Sequence, residues 1–243
     1  MNPTVCALIL AAGRSERFGG GDNKCFAPVA GQTVLWHSYA AFLELPAISG
    51  IVVAVAENEV SRAEDALSGL LDSRFFGFCK GGSTRQASVI AGLSYLSRAA
   101  DRDSVVLVHD AARCLVTQAA IQATLDTVIR ERAGAAPAIP VVDTIRQIDA
   151  AGYVTACLER DSLRAMQTPQ GARLDILLEA YSCAADMGLS VTDDLSALEA
   201  VGYPVRLVSG DLQNIKLTAA GDLDLADRWL QARIDRQNGG LYR

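Results

Sequence analysis
Six consecutive apolar residues, Ile51-Val52-Val53-Ala54-Val55-Ala56, make a strand with no polar face. A strand of that kind must be buried on both sides, as in a parallel sheet covered by helices. Similar short apolar runs recur at residues 5–10, 75–79, 105–108 and 136–142. Between them, residues 34–45, 60–71, 85–98 and 118–132 carry apolar side chains at helical spacing, with Leu35, Tyr39, Phe42 and Leu43 forming one such face. This alternation predicts an α/β fold, doubly wound, with a mostly parallel sheet and right-handed crossovers.

The rhythm breaks after residue 142. Residues 143–160 hold two short mixed segments around the turn signal Asp149-Ala150-Ala151-Gly152 and read as an inserted β-hairpin arm. A lone hairpin is only marginally stable in water. The arm therefore needs something to pack on, and a second copy of the chain, in a homodimer, is the simplest partner. Helices are expected again at 172–187, 193–201 and 220–236, a strand at 204–208, and a frayed end from 237 onward. The 243 residues form a single domain, 1–243. Folding at that length buries roughly 70–75% of the unfolded surface, so neither a disulfide nor a structural metal is needed.

Asp plus Glu outnumber Lys plus Arg by 28 to 22, a net charge of −6. That balance excludes a generic polyanion binder, and no nucleic-acid partner is expected. A phosphate-bearing ligand has to be met by a local basic cluster, because the overall field repels it. The six cysteines, at 6, 25, 79, 114, 157 and 183, contain no Cys-x-x-Cys pair, which removes zinc-ribbon and thioredoxin-like readings. Their scatter suits a reducing compartment. The first residues read as a strand rather than a signal peptide. No apolar run approaches the ~18–20 residues of a membrane span, and a cytoplasmic protein is expected.

The segment after the first strand, Ala11-Ala12-Gly13-Arg14-Ser15-Glu16-Arg17-Phe18-Gly19-Gly20-Gly21-Asp22-Asn23-Lys24, supplies the local positive charge. Small residues let backbone N–H groups approach an anion closely, and ligands of open α/β sheets bind beyond the carboxyl ends of strands. A dinucleotide fingerprint fails because Ser15 stands where the second glycine belongs. A P-loop fails because Cys25 follows Lys24. Two readings remain: a nucleoside triphosphate loop of the nucleotidyltransferase type, and a glycine-rich turn with solvated basic residues.

Further motifs follow in order: Gly81-Gly82 with Arg85 and Ser88, Val108-His109-Asp110-Ala111-Ala112-Arg113, Asp143-Thr144, Thr168-Pro169-Gln170, Thr192-Asp193-Asp194 and Asn214-Ile215-Lys216. Together with Ala11-Ala12-Gly13, Arg17 and Lys24, this ordered set resembles the 2-C-methyl-D-erythritol 4-phosphate cytidylyltransferase family over roughly residues 4 to 230. The resemblance implies a Rossmann-like nucleotidyltransferase fold. It also implies transfer of CMP from CTP to a polyol phosphate, with Mg²⁺ and release of pyrophosphate.

Several site residues follow from the same resemblance. Arg17 and Lys24 flank the α-phosphate, Lys216 lies near the triphosphate at the end of a short strand, and the backbone of Ala11, Ala12 and Gly13 with its neighbours to Ser15 cradles the phosphates. Gly82, Ser83 and Ser88 form the base pocket, Asp110 and Ala111 meet the nucleotide, and Asp110 is the metal ligand. Thr144, Arg160, Thr168, Thr192 and Lys216 grip the acceptor phosphate, with Thr144 and Arg160 on the arm serving the neighbouring subunit. His109 reads as structural.

The chain departs from the family pattern in three places. Ser83 stands where the family commonly has an acidic residue, Lys24 sits between Asn23 and Cys25 rather than in Pro-Lys-Gln, and Cys114 replaces a proline. A sister enzyme that uses ribitol 5-phosphate and a non-catalytic nucleotide-binding relative are the alternatives.

Overall fold
Along the first strand, β1 (Val5–Leu10), Val5, Ala7 and Ile9 join one hydrophobic cluster while Cys6 and Leu8 join another. The period-2 alternation of a strand buried on both faces produces this split. A computed structural model describes residues 3–13 and 22–239. After β1 the chain runs β2 (Pro28–Val29), β3 (Gln32–Thr33), α1 (Val34–Leu43), β4 (Gly50–Val55), α2 (Val60–Ala66), β5 (Phe75–Lys80), α3 (Arg85–Ala99), β6 (Val105–Asp110), α4 (Gln118–Glu131) and β7 (Gly134–Pro140). It continues through β8 (Arg146–Ile148), β9 (Val154–Cys157), β10 (Arg164–Met166), β11 (Gln170–Arg173), α5 (Leu174–Asp186), α6 (Asp194–Ala200), β12 (Val205–Ser209) and α7 (Ala220–Gly239).

Across the eight-stranded sheet the central order is β7-β11-β6-β1-β4-β5, with β12 and β10 also paired to β7. The pairs β1–β4, β1–β6, β4–β5 and β12–β7 are parallel, whereas β10 and β11 run antiparallel. One face is covered by α1, α2 and α4, through Leu35, Tyr39, Phe42, Leu67, Ile121 and Leu125. The other is covered by α3, α5 and α6, through Val89, Leu93, Leu96, Leu177, Tyr181 and Leu198. A smaller cluster around Val29, Leu115, Leu217 and Leu230 seats α7 beside the small β2–β3 hairpin. The expected helical face of α1 is confirmed: Leu35, Tyr39 and Phe42 are fully buried, and Leu43 packs against the same cluster.

The chain moves outward from β1 through β4 to β5, then crosses back to β6 on the other side of β1. The carboxyl ends of β1 and β6 therefore flank the topological switch point, where open α/β sheets bind ligands.

Five expectations need correction. The helix expected at 60–71 stops at Ala66, and the chain turns through Gly69 at a φ of +83°. Residues 172–173 belong to β11, and the helix starts at Leu174. Gln170-Gly171-Ala172-Arg173 holds no β-branched or aromatic residue, but it fills a slot between β6 and β7. An added Cβ at Gly171 would lie 2.7 Å from Leu107 Cδ2, so the slot favours glycine. The strand expected at 136–142 begins and ends two residues earlier, because Val142 is exposed beyond the sheet. Lys216 lies in irregular chain between β12 and α7 rather than on a strand. Finally, α7 continues to Gly239, three residues past the expected helix end at 236, and residues 240–243 of the expected frayed end lie outside the described residues.

Candidate active site
Lys24 is set by a short 3-10 turn, Lys24–Phe26, that packs against α1 and α2. Asn23 caps the turn, its Oδ1 accepting from the Cys25 amide at 3.1 Å. The Asn23 amide group donates to Ala11 O and to Glu59 Oε2, both at 2.8 Å. Asp22 pairs with Arg62, whose guanidinium lies 4.5 Å from the Phe26 ring centroid. The charge of Lys24 acts on Asp222. Burial pushes that carboxyl up, but the Thr218 and Ala219 amides, the Thr218 hydroxyl and Lys24 outweigh it and hold the carboxyl below its usual range. Burial pushes the Cys25 thiol up to about 12, and it feels the opposing charges of Lys24 and Asp110. Arg17 lies outside the described residues, as does the part of the expected phosphate cradle beyond Gly13.

The second wall is the loop from β5 into α3. Thr84 caps α3 by accepting from the Ala87 amide at 3.1 Å, leaving Ser83 exposed. Ser88 is buried; its Oγ accepts from the Gly82 amide at 3.1 Å and donates to Thr84 O at 2.9 Å. The two loops approach so closely that a Cβ added at Gly81 would overlap the Cβ of Ala12. Between them opens a cleft of about 640 Å³, with Ala12, Gly13 and Asn23 on one side, Gly82 and Ser83 on the other, and Glu59 at the rim. Of the nucleotide-side residues named from sequence, Ala12, Gly13, Gly82 and Ser83 line this cleft.

At the end of β6, Asp110 is nearly buried and receives two cations. Lys216 Nζ is 2.6 Å from its Oδ2, and Arg85 Nε is 3.1 Å from its Oδ1. Burial raises the Asp110 carboxyl, but Arg85, Lys216 and Arg113 outweigh it and hold the group well below the usual carboxylate range. Thr168 Oγ1 accepts from the Asp110 amide at 3.2 Å and lies 2.9 Å from His109 Nδ1. Burial pushes His109 down to about 3, and its ring packs 5.0 Å from that of Phe42. It is a neutral core residue, as the sequence reading expects.

The Lys216 segment is tied down by its neighbours. Asn214 Nδ2 donates to Thr168 O at 3.0 Å. Arg113 donates to Asn214 O at 2.8 Å and to Met166 O at 3.1 Å. Through these two hydrogen bonds Arg113 steadies the loop. Ala111 keeps its backbone inside the fold: its N–H goes to Leu10 O, and its carbonyl accepts from Ser38.

The structure thus joins Asp110, Lys216 and Thr168. Thr192 is exposed immediately before Asp193, the N-cap of α6. Thr144 and Arg160 stand at the two feet of the arm, and Arg160 donates to Val142 O at 3.2 Å. Among the described residues, neither is hydrogen-bonded to the Asp110 cluster.

Sequence reasoning gave no role to Arg85, Asp194 or Gln170, although each lies in a quoted motif. An arginine opening a helix looks solvated, and nothing in the chain signals partners at positions 110 and 194. Among the described residues no group of three metal-type side chains gathers.

The family model for IspD, 2-C-methyl-D-erythritol 4-phosphate cytidylyltransferase, matches residues 5–232. A bifunctional IspD/IspF enzyme of Bradyrhizobium sp. strain ORS 278 is 40% identical over 98% of this chain, which spans 60% of that protein's length. A 2-C-methyl-D-erythritol 4-phosphate cytidylyltransferase of Dehalococcoides mccartyi is 36% identical over 93% of this chain and 96% of its own. The crystal structure of a 4-diphosphocytidyl-2C-methyl-D-erythritol synthase from Anaerococcus prevotii superposes with a TM-score of 0.81 at 26% identity, covering 94% of this chain and 96% of that one. Matched along nearly its whole length, the chain belongs to the 2-C-methyl-D-erythritol 4-phosphate cytidylyltransferase family.

Proposed function
We propose that this chain transfers CMP from CTP to 2-C-methyl-D-erythritol 4-phosphate and releases pyrophosphate. The observation that carries the reading is the ion cluster of Asp110, Lys216 and Arg85 beside Thr168 at the switch point, together with the cleft between the β1 and β5 loops. An oxygen of the acceptor phosphate attacks the α-phosphorus in line, the bond to the β-phosphate oxygen breaks, and pyrophosphate departs. Such chemistry is mostly positioning and charge stabilisation.

Arg17 and Lys24 meet the charge that grows on the α-phosphate. Ala11, Ala12 and Gly13 supply close backbone approach to the triphosphate. Gly82, Ser83 and Ser88 bound the base, with the Ser83 hydroxyl available as an acceptor for an exocyclic amine. Thr168 and Thr192 hold the acceptor phosphate from the β11 and α6 sides.

A single rim carboxylate fits a hard cation that completes its octahedron with phosphates and water. Each oxygen of Asp110 accepts one cationic donor, and a carboxylate offers about four lone-pair sites, so room for a metal remains. Asp110 would hold Mg²⁺, which neutralises phosphate charge and steadies the leaving group.

The arm supports a homodimer in which Thr144 and Arg160 serve the partner's site. Among the described residues, strands β8 and β9 pair only with each other, and Ile148, Tyr153 and Val154 are exposed. The cysteines are free, which suits a reducing cytoplasm. No helix among the described residues is long and apolar enough to cross a membrane.

A pyrophosphate-release assay tests the reading, run with methylerythritol 4-phosphate and ribitol 5-phosphate against each of the four nucleoside triphosphates. Release that needs CTP and methylerythritol 4-phosphate is expected. Preference for ribitol 5-phosphate moves the chain to the sister activity, and CTP binding without release leaves only a nucleotide-binding relative.

A further inference from the structure
Arg85 is absent from the mechanism above, yet two halves of the site meet on its guanidinium. Its Nε donates to Asp110 Oδ1 at 3.1 Å, and its Nη2 donates to Asp194 Oδ2 at 2.6 Å. Asp194 is 1% exposed, and its other oxygen accepts from the buried Tyr181 hydroxyl at 2.6 Å. The first turn of α6 is fixed from the opposite side by Gln170. Its Oε1 accepts from the Asp194 and Leu195 amides at 2.8 and 3.1 Å, and its Nε2 donates to Asp193 Oδ2 at 2.9 Å.

Gln170 follows Thr168 by two residues, and Thr168 Oγ1 returns to the Asp110 amide. The contacts therefore close a ring from Asp110 through Arg85, Asp194, Gln170 and Thr168 back to Asp110. Of the acceptor-side hydroxyls proposed outside the arm, Thr168 is a member of the ring, and Thr192 stands two residues before its member Asp194.

Stability alone does not require this arrangement, since replacing a buried ion network by apolar side chains is commonly neutral or stabilising. What the ring supplies is a fixed relation between the nucleotide rim and the acceptor loop. Arginine suits the task because its rigid planar fork bonds two carboxylates in set directions, whereas lysine offers one point charge.

We infer that Arg85 is a positioning residue: by bridging Asp110 and Asp194 it sets where the acceptor phosphate stands against the α-phosphate of the nucleotide. The inference rests on the proposed cytidylyl transfer and deepens it.

The test compares wild type, Arg85→Lys, Asp194→Asn, their double variant and Tyr181→Phe in the whole chain. Steady-state rates with magnesium CTP and methylerythritol 4-phosphate are read beside calorimetric binding of magnesium CTP. Arg85→Lys should raise the KM for methylerythritol 4-phosphate and lower kcat, each by about 10-fold, with the Kd for CTP within about 3-fold of wild type. A general loss of structure would weaken both substrates alike. Arg85→Lys and Asp194→Asn should be non-additive, the double variant losing no more than the worse single, because both act on the shared Arg85–Asp194 contact that completes the ring.

A folded Arg85→Lys protein with unchanged acceptor KM and kcat overturns the inference, as does an additive cycle. If Arg85→Lys does not fold, Tyr181→Phe decides: an acceptor KM raised about 3-fold supports the ring, and an unchanged one overturns it. A wild-type chain that turns over no acceptor overturns the proposed function and the positioning role together. Wild-type turnover with indifferent variants overturns the positioning role alone.

Discussion

At the carboxyl rim, Asp110 is 7% exposed and both its oxygens are bonded to cations from α3 and from the segment before α7. In the arm, β8 and β9 pair only with each other among the described residues, and Val142, Ile148, Tyr153 and Val154 are 60–76% exposed. Both regions carry residues proposed to hold phosphates. The rim meets the cost of burying charge with partners from its own chain, so its geometry is set before any ligand arrives. The arm exposes apolar surface that its own chain does not cover, so the placement of Thr144 and Arg160 depends on what packs against it.

The largest expected effect lies on the charged side of this contrast. Lys24→Ala removes the proposed charged contact to the reacting phosphate, of a kind worth ~1.5–3 kcal/mol, and turnover should fall ~10–150-fold with a much smaller change in CTP affinity. Single-turnover rates beside CTP binding check it, and unchanged turnover would remove Lys24 from the chemistry.

Next comes the arm. The pair Tyr153→Asp and Val154→Asp puts like charges on its exposed face. The variant should sediment as a monomer, lose most acceptor turnover and keep its thermal midpoint within a few degrees. A wild-type chain that already sediments as a monomer breaks the comparison outright.

A third test uses acidity. His109 is held neutral, with its folded value pushed down to about 3 by burial, against ~6.5 when unfolded. Its contribution is therefore fully present above pH ~6.5 and is lost as the pH falls toward 3, at up to about 1.4 kcal/mol per pH step. Thermal midpoints measured across that window should fall less steeply for His109→Gln than for wild type. Parallel slopes would mean that the histidine is solvated. The arm should show no matching dependence, since it holds no histidine.

The smallest effect belongs to Ser83. Ser83→Asp supplies a stronger acceptor in the cleft, and CTP affinity should rise a few-fold over UTP affinity, consistent with one hydrogen bond of ~0.5–1.5 kcal/mol. An unchanged ratio measured by competition would place the base elsewhere.

Much of this was legible in the chain because burial writes itself into pattern. A strand covered on both faces must be apolar throughout, so residues 51–56 stand out, and Leu35, Tyr39 and Phe42 repeat with the helical period. Asp110 and Lys216 were reached through motif order. Strand β11 was not legible, because Gln170-Gly171-Ala172-Arg173 is a strand by virtue of the slot it fills, with no β-favouring side chain to announce it. Nor was the partnership of Arg85. Its carboxylates lie 25 and 109 positions away, and periodicity reports which side is buried, not which distant group meets it.

Strand β11 has a further consequence for how the molecule is made. It enters the sheet late in the chain yet lies between two strands already synthesised, β6 and β7. As the polypeptide leaves the ribosome, those two have no settled neighbour on their facing edges until residue 173 is available. Unpaired strand edges are the surfaces on which nascent chains associate wrongly. The stretch that brings Thr168 to Asp110 is thus also the wedge that closes the sheet, and a nascent chain stopped short of it would lack both a sealed edge and a working centre.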